Sequence, residues 1–332
     1  MVGDRFGVRG SSGAPRAFAL VDAAALIGVL GVLACLLVVG ASRSRSLSSL
    51  GQTMTNLRQI GNAFASYGGD YQDRVLGYSW TPGNCPSQYP DLQSATDVIQ
   101  ASANQASDIA RRRSGNTSFP RISSWIPQIL HWNFVAADYL NTPLPSTLFQ
   151  SPEDGPLLAL ASDPLNWSGT TSAARLPLGT SYEISAGFWG GPDSGSNAIS
   201  QDAGAYGLFT VPSGALAGVR HLGEVVYPSA KALVFDRYQR HFGPRVGYFM
   251  YEEARVPVCA TDGSVQVRSG FGVNPGWKPR NPTNKSPSSI LYDPVAPTPP
   301  TLSGAPSDTV FGRLRYTRGG LAGRDFDGPE VP

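Results

Sequence analysis

Arg16-Ala17-Phe18-Ala19-Leu20-Val21-Asp22 joins a polar, Gly/Ser-rich basic stretch to a long apolar run. Residues 1–17 carry Arg5, Arg9 and Arg16 against Asp4. The apolar run extends from Phe18 to Ala41 and is interrupted only by Asp22. Its 24 residues would rise about 36 Å as a helix, enough to cross a hydrocarbon core of about 30 Å. Gly28, Gly31 and Gly40 are tolerable in such a helix. Three readings are open. A cleaved secretory signal would use Val39-Gly40-Ala41 as its small-residue site, although apolar regions of such signals usually span only about 7–15 residues. A lipoprotein signal would use Val32-Leu33-Ala34-Cys35, although Leu36-Leu37-Val38-Val39 continues the run past the cysteine. The third reading is a retained membrane helix. A carboxylate near the end of a span is costly and calls for a partner. Asp22 is then either an acid tolerated at the interface or one with a dedicated cationic partner.

Downstream, Leu47, Leu50, Met54, Leu57, Gly61 and Phe64 recur at spacings of 3, 4, 3, 4 and 3, among Ser, Gln, Thr, Asn and Arg. That spacing predicts an amphipathic helix with one apolar stripe. No proline falls within residues 16–81. One helix is therefore expected from Phe18 to about Tyr67, stopped by Gly68-Gly69. The stripe alone would also suit an ordinary core helix or a short coiled coil.

Residues 78–93 read as loop. Ser94 to Arg113 reads as a polar helix whose final Arg111-Arg112-Arg113 suits the C-terminal dipole. A solvated helix end explains that triplet more simply than a nucleic-acid patch. A helix is also expected over Ser124–Leu140, where Ile126, Ile129, Leu130, Phe134 and Tyr139 share a face and Pro127 suits a first turn. Beyond residue 150 the signals are strands, at 181–185, 205–211 and, most strongly, Lys231–Asp236. Val256–Thr261 and Ser264–Val267 read as a hairpin closed by a two-residue type I′ turn, Asp262-Gly263. Residues 274–308 are rich in Pro, Ser and Asn and read as loop. The expected fold class is α+β, a long N-terminal helix packed on an antiparallel sheet in a loop-rich head.

Composition narrows the function. The 332 residues carry 26 basic and 24 acidic side chains, a net charge of +2, and only 15% are charged. No strong field draws in nucleic acid. Gly and Pro together make up 38 + 28 residues, well above ordinary usage. Three cysteines (Cys35, Cys85 and Cys259) make no disulfide framework and no CxxC zinc pair, and there are only three histidines.

No GxSxG, HExxH, P-loop or GxGxxG pattern occurs. His131 has no second His or Cys at ligand spacing and reads as a packed or surface residue. His221 and His241 have no nucleophile motif beside them. Asp236, Glu252 and Glu253 would offer a carboxylate pair for glycoside chemistry, but surface acids explain them more simply. The 6 Trp and 13 Tyr would suit a sugar cleft, yet in such a head aromatics more often fill gaps under loops.

Residues 16–22 resemble the processing site of type IV pilins and type II secretion pseudopilins. There a basic leader ends in Gly, the mature chain begins with Phe, and Glu is the fifth residue. Counted from Phe18, Asp22 is the fifth residue here, and Ala17 stands where the family has Gly. The resemblance implies that a prepilin peptidase cuts between Ala17 and Phe18 and methylates the Phe18 amine. It also implies that Asp22 neutralises the amine of a neighbouring subunit during assembly. Each charge is costly alone in lipid, and pairing offsets much of that cost. Four more stretches resemble a pseudopilin-like class with long heads: Asn56–Arg74, Tyr227–Asp236, Ala260–Val265 and Arg318–Gly328. Glu252 departs from one form of that class, which has His at that place.

The implied organisation is a leader peptide (1–17), a transmembrane helix half (18–41), an amphipathic half (42–67) and a globular α+β head (68–332). Leu47, Leu50, Met54, Leu57 and Phe64 would pack the helix. The implied role is a non-enzymatic structural subunit in the inner membrane with an extracytoplasmic head, possessing other subunits and the peptidase as partners and no nucleic acid. Some pseudopilins bind calcium in a C-terminal loop. Asp325, Asp327 and Glu330 supply oxygen ligands for calcium at a similar spacing, without the full loop pattern; a solvated tail is the plainer reading. The rival reading is a signal-anchored extracytoplasmic carbohydrate-binding or hydrolytic ectodomain.

Overall fold

The computed structural model describes residues 20–122, 125–164, 178–191, 194–201, 209–212, 216–217, 220–281, 283–284, 286–295 and 298–330. The chain divides into two units, Met1–Leu47 and Ser48–Pro332. Helix α1, Leu20–Asp70, runs through that boundary.

In the first unit the described side chains are Ala24–Leu37 and Ser44–Leu47. Leu26, Ile27, Val29, Leu30, Val32, Leu33, Leu36 and Leu37 lie between 50% and 72% exposed. At about 100° per residue these positions cover about 220° of the helix surface, wider than one stripe, and Ala24, Gly28, Gly31 and Cys35 occupy the rest. Among the described residues no helix is long and apolar enough to cross a membrane. The expected span of 18–41 includes residues 18–19, outside the described residues, and 20–23 and 38–41, whose side chains are not described.

In the second unit α1 packs along a face made by Ser49, Thr53, Asn56, Leu57, Ile60 and Phe64, all buried. This corrects the expected stripe. Leu47 is 62% exposed, Leu50 is half-buried, and Met54 is only partly buried against the core. The N-terminal end of the face is polar because its neighbours are polar. His241 Nδ1 lies 3.3 Å from Ser49 Oγ, and His241 Nε2 lies 3.1 Å from Thr53 Oγ1. Asn56 Nδ2 donates to the Thr147 and Gln150 carbonyls at 3.1 and 3.2 Å. Leu57, Ile60 and Phe64 then continue the face into the hydrophobic core.

The helix also outruns its expected stop at Gly68-Gly69. It ends at Asp70, followed by Gln72 and Asp73 with φ of 56° and 66°. Tyr71 stacks on Tyr67 at 4.4 Å, and Tyr139 donates to Asp70 at 2.5 Å, so side-chain contacts carry the extra turn.

Helix α2, Val98–Ser114, is capped by Asp97, which accepts from the Gln100 N–H at 2.8 Å. Its arginines are not a solvated run. Arg111 is buried and pairs with Asp91 at 2.8 Å. Arg112 and Arg113 hold Asp138 at 2.9 and 2.7 Å, tying α2 to α3, Asn133–Tyr139. α3 is shorter than the expected 124–140, because residues 127–130 form turns and 123–124 lie outside the described residues. Helix α4, Gly155–Ala161, is capped by Asp154.

The central sheet is antiparallel and is made, in spatial order, by β1 (Tyr182–Ile184), β4 (Ala232–Asp236), β7 (Arg255–Ala260) and β8 (Val265–Ser269). β2 (Gly190–Gly191) pairs with β3 (Leu216–Ala217), β5 (Tyr238–Gln239) with β6 (Gly247–Tyr248), and β9 (Ser289–Tyr292) with β10 (Asp308–Phe311). The architecture is α+β. The β9–β10 ladder lies partly in the stretch read as loop, since proline-rich flanks hide its apolar alternation. Of the strand expected at 205–211, residues 205–208 lie outside the described residues, and Thr210 bridges Ser200.

The β7–β8 hairpin forms, but its turn differs from the expected one. Type I′ needs positive φ at both central residues, and here only Gly263 has it, at 83°. The Gly263 N–H donates to the Ala260 carbonyl and the Ala260 N–H to the Ser264 carbonyl, making a three-residue connection. α1 approaches this hairpin closely. A Cβ on Gly61 would sit 2.8 Å from Cys259 Sγ, so glycine permits the contact.

Three stretches singled out in the sequence meet in space. Lys231, fully buried at the head of β4, pairs with Asp325 at 3.3 Å and donates to Thr317. Asp325 Oδ2 accepts the Ala232 N–H at 2.9 Å. The Thr261 N–H donates to the Lys231 carbonyl at 2.9 Å.

Candidate functional site

Ala17 and Phe18 lie outside the described residues, and of Asp22 only the helical backbone is described. The processing and assembly expectations therefore rest on sequence. What the fold supplies beside them is the sleeve of exposed apolar side chains from Leu26 to Leu37.

Among the described residues the acids singled out in the sequence do not gather into a metal site. Asp325 is 2% exposed and clasped by Lys231 and the Ala232 N–H. Asp327 pairs with Arg268 at 2.5 Å and Glu330 with Arg318 at 3.1 Å. The three calcium candidates are thus spent on three different cations, and among the described residues no cluster of three metal-binding side chains occurs. Asp236 is held by Arg240, whereas Glu252 pairs with Arg313 at 2.5 Å. Cys35 is exposed, and Cys85 and Cys259 are buried free thiols. Burial pushes the Cys259 thiol up to about 12, with Asp262 adding to the shift.

A concave site forms in the second unit. It is a cleft of about 700 Å³, within the size range of small-molecule sites. Helix α4 contributes Pro156, Leu157 and Leu160, and the 298–304 segment contributes Pro299, Pro300 and Leu302. His131, Glu153, Asp154, Arg237, Arg240 and Arg245 add polar groups. Two neighbours on the chain, Asp154 and the start of α4, are placed together because the Asp154 side chain caps the helix.

Arg240 pairs with Asp154 at 2.5 Å and with Asp236. Burial pushes the Asp236 carboxyl up to about 7 against the pull of Arg240. His241 is drawn down to about 4 by burial and by Arg240. His131 is drawn down to about 3 by burial and by Arg237, so its imidazole is neutral. It is packed, as expected, with Trp125 at 4.9 Å and Phe134 at 5.3 Å, and among the described residues neither buried ring nitrogen has a hydrogen-bond partner.

Sequence reading considered His131 alone and Asp236 with Glu252 and Glu253, and missed Asp154, Arg237 and Arg240. The available signal was Asp236-Arg237-Tyr238-Gln239-Arg240-His241, a charge-dense stretch in a chain only 15% charged. Compared with protein-family models, curated proteins and solved structures, the chain matches none.

Proposed function

We propose that this chain is a structural, non-enzymatic subunit of a type IV pilus-like or type II secretion pseudopilus assembly. A prepilin peptidase cuts between Ala17 and Phe18 and methylates the new amine. The chain sits in the inner membrane through residues 18–41, with residues 68–332 as an extracytoplasmic head. The observation that carries the reading is the coincidence, within seven residues, of a basic leader end, Phe18 and an acid at the fifth place after the cut. Continuous helix through Leu20–Asp70 and its exposed apolar sleeve support it. Such a sleeve needs lipid or neighbouring helices, because exposed apolar surface of that extent is costly in water.

The 700 Å³ cleft favours a second reading, a signal-anchored ectodomain that binds or cleaves a small molecule. The two diverge at Asp22. In the assembly reading Asp22 pairs with the amine of a neighbouring subunit. Asp22→Asn should then leave cleavage and folding intact while removing the chain from sheared or pelleted filament fractions. Asp22→Glu, which keeps the charge, should restore it. Equal recovery of wild type and Asp22→Asn would sink the assembly role.

A further inference from the structure

The cleft beside α4 carries an inference that is independent of assembly. Its apolar walls, Leu157 and Leu160 on α4 and Pro299, Pro300 and Leu302 on the 298–304 segment, suit an apolar body rather than a sugar. His131 is 1% exposed and borders the same cleft, but both ring nitrogens are themselves buried and out of an occupant's reach.

The charges of the lining choose the sign of that occupant. Arg240 is neutralised by Asp154 and Asp236, and Arg237 faces Glu183 at 3.7 Å. Arg245 donates to the Leu302 carbonyl at 3.2 Å and meets no carboxylate among the described residues. It is thus a guanidinium held at the cleft and open to a planar, bidentate acceptor. A phosphate would call for more than one such cation. Glu153 is exposed on the same lining and has no ion pair among the described residues, so it opposes an anion.

We propose that this cleft binds a small apolar carboxylate. The carboxylate sits on Arg245, and the apolar body lies among the prolines and leucines.

The test is equilibrium dialysis of the full chain in detergent micelles against the same micelles without protein. The probe is 2-naphthoate. Saturable binding of one probe per chain is expected. The corresponding amide, and Arg245→Gln with the acid, should each bind about tenfold more weakly, as loss of a charge-assisted pair implies. Glu153→Gln should bind the acid more tightly. Leu160→Trp should fill the cleft and abolish binding. Uptake no greater than that of protein-free micelles would overturn the proposal. So would equal binding of acid and amide, or an Arg245→Gln variant that melts and binds like wild type.

Discussion

Arg315→Met is expected to destabilise the head by about 3–5 kcal/mol, the cost of stranding one member of a buried ion pair. Arg315 and Glu183 are 2% and 1% exposed and meet at 2.6 Å. The guanidinium also donates to the Tyr248 hydroxyl at 2.8 Å and to Gln201. Burial alone would lower the Arg315 pKa; Glu183 together with Tyr248 and Tyr316 outweighs it and holds the pKa above its ordinary value. Removing the cation leaves Glu183 buried on β1 without its 2.6 Å partner, and among the described residues Arg237, at 3.7 Å, is the other cation beside it. Chemical denaturation should therefore show a large fall for Arg315→Met and for Glu183→Gln. The double variant Glu183→Leu/Arg315→Met should recover much of the loss, because both desolvated charges go together. Loss in the double variant equal to the sum of the single losses would mean the two side chains do not act as a pair.

Phe64→Ala is expected to cost about 3–5 kcal/mol, and Leu57→Ala about 2–5. Phe64 is 1% exposed and its ring centroid lies 5.5 Å from that of Trp132; Leu57 is fully buried. Leu47→Ala, Ser48→Ala and Asn62→Ala should stay within about 0.5 kcal/mol, since all three positions are exposed. The Leu47 variant is the informative control. Periodicity puts it on the same stripe as Leu57, whereas its 62% exposure takes it off. Thermal melts of the full chain in micelles would decide the matter. A large drop for Leu47→Ala, or none for Phe64→Ala, would place the wrong face of α1 against the sheet.

The parts of this fold that were legible were those written in apolar runs. Ala232–Asp236 and Arg255–Ala260 carry β-branched and aromatic residues that stay buried along nearly their whole length, and both form strands. The seat of α1 was half legible. Leu57 and Phe64 have the right period, but Ser49, Thr53 and Asn56 occupy the same buried face through hydrogen bonds to residues about 90 to 190 positions away. A hydropathy pattern reports none of those partners. The expected 124–140 helix failed for a related reason. Its apolar residues share a helical phase, yet the chain turns at 127–130 before α3 begins.

The candidate site was less legible. The cleft draws on five segments, near 130, 153–160, 179–181, 237–246 and 298–304. Only tertiary folding brings them together. The buried Glu183–Arg315 pair, 132 residues apart, was equally out of reach. At the other end of the chain the position is reversed. The reading of Phe18 and Asp22 comes wholly from residue order, because their side chains lie outside what the structure describes.

The measurement that bears most directly on the proposed assembly role is the mature N-terminus of the membrane-extracted chain, by mass spectrometry. The role as a processed subunit predicts a terminal peptide beginning at N-methylated Phe18. A chain that keeps residues 1–17, one that begins at Ser42, or one lipidated at Cys35 would contradict it.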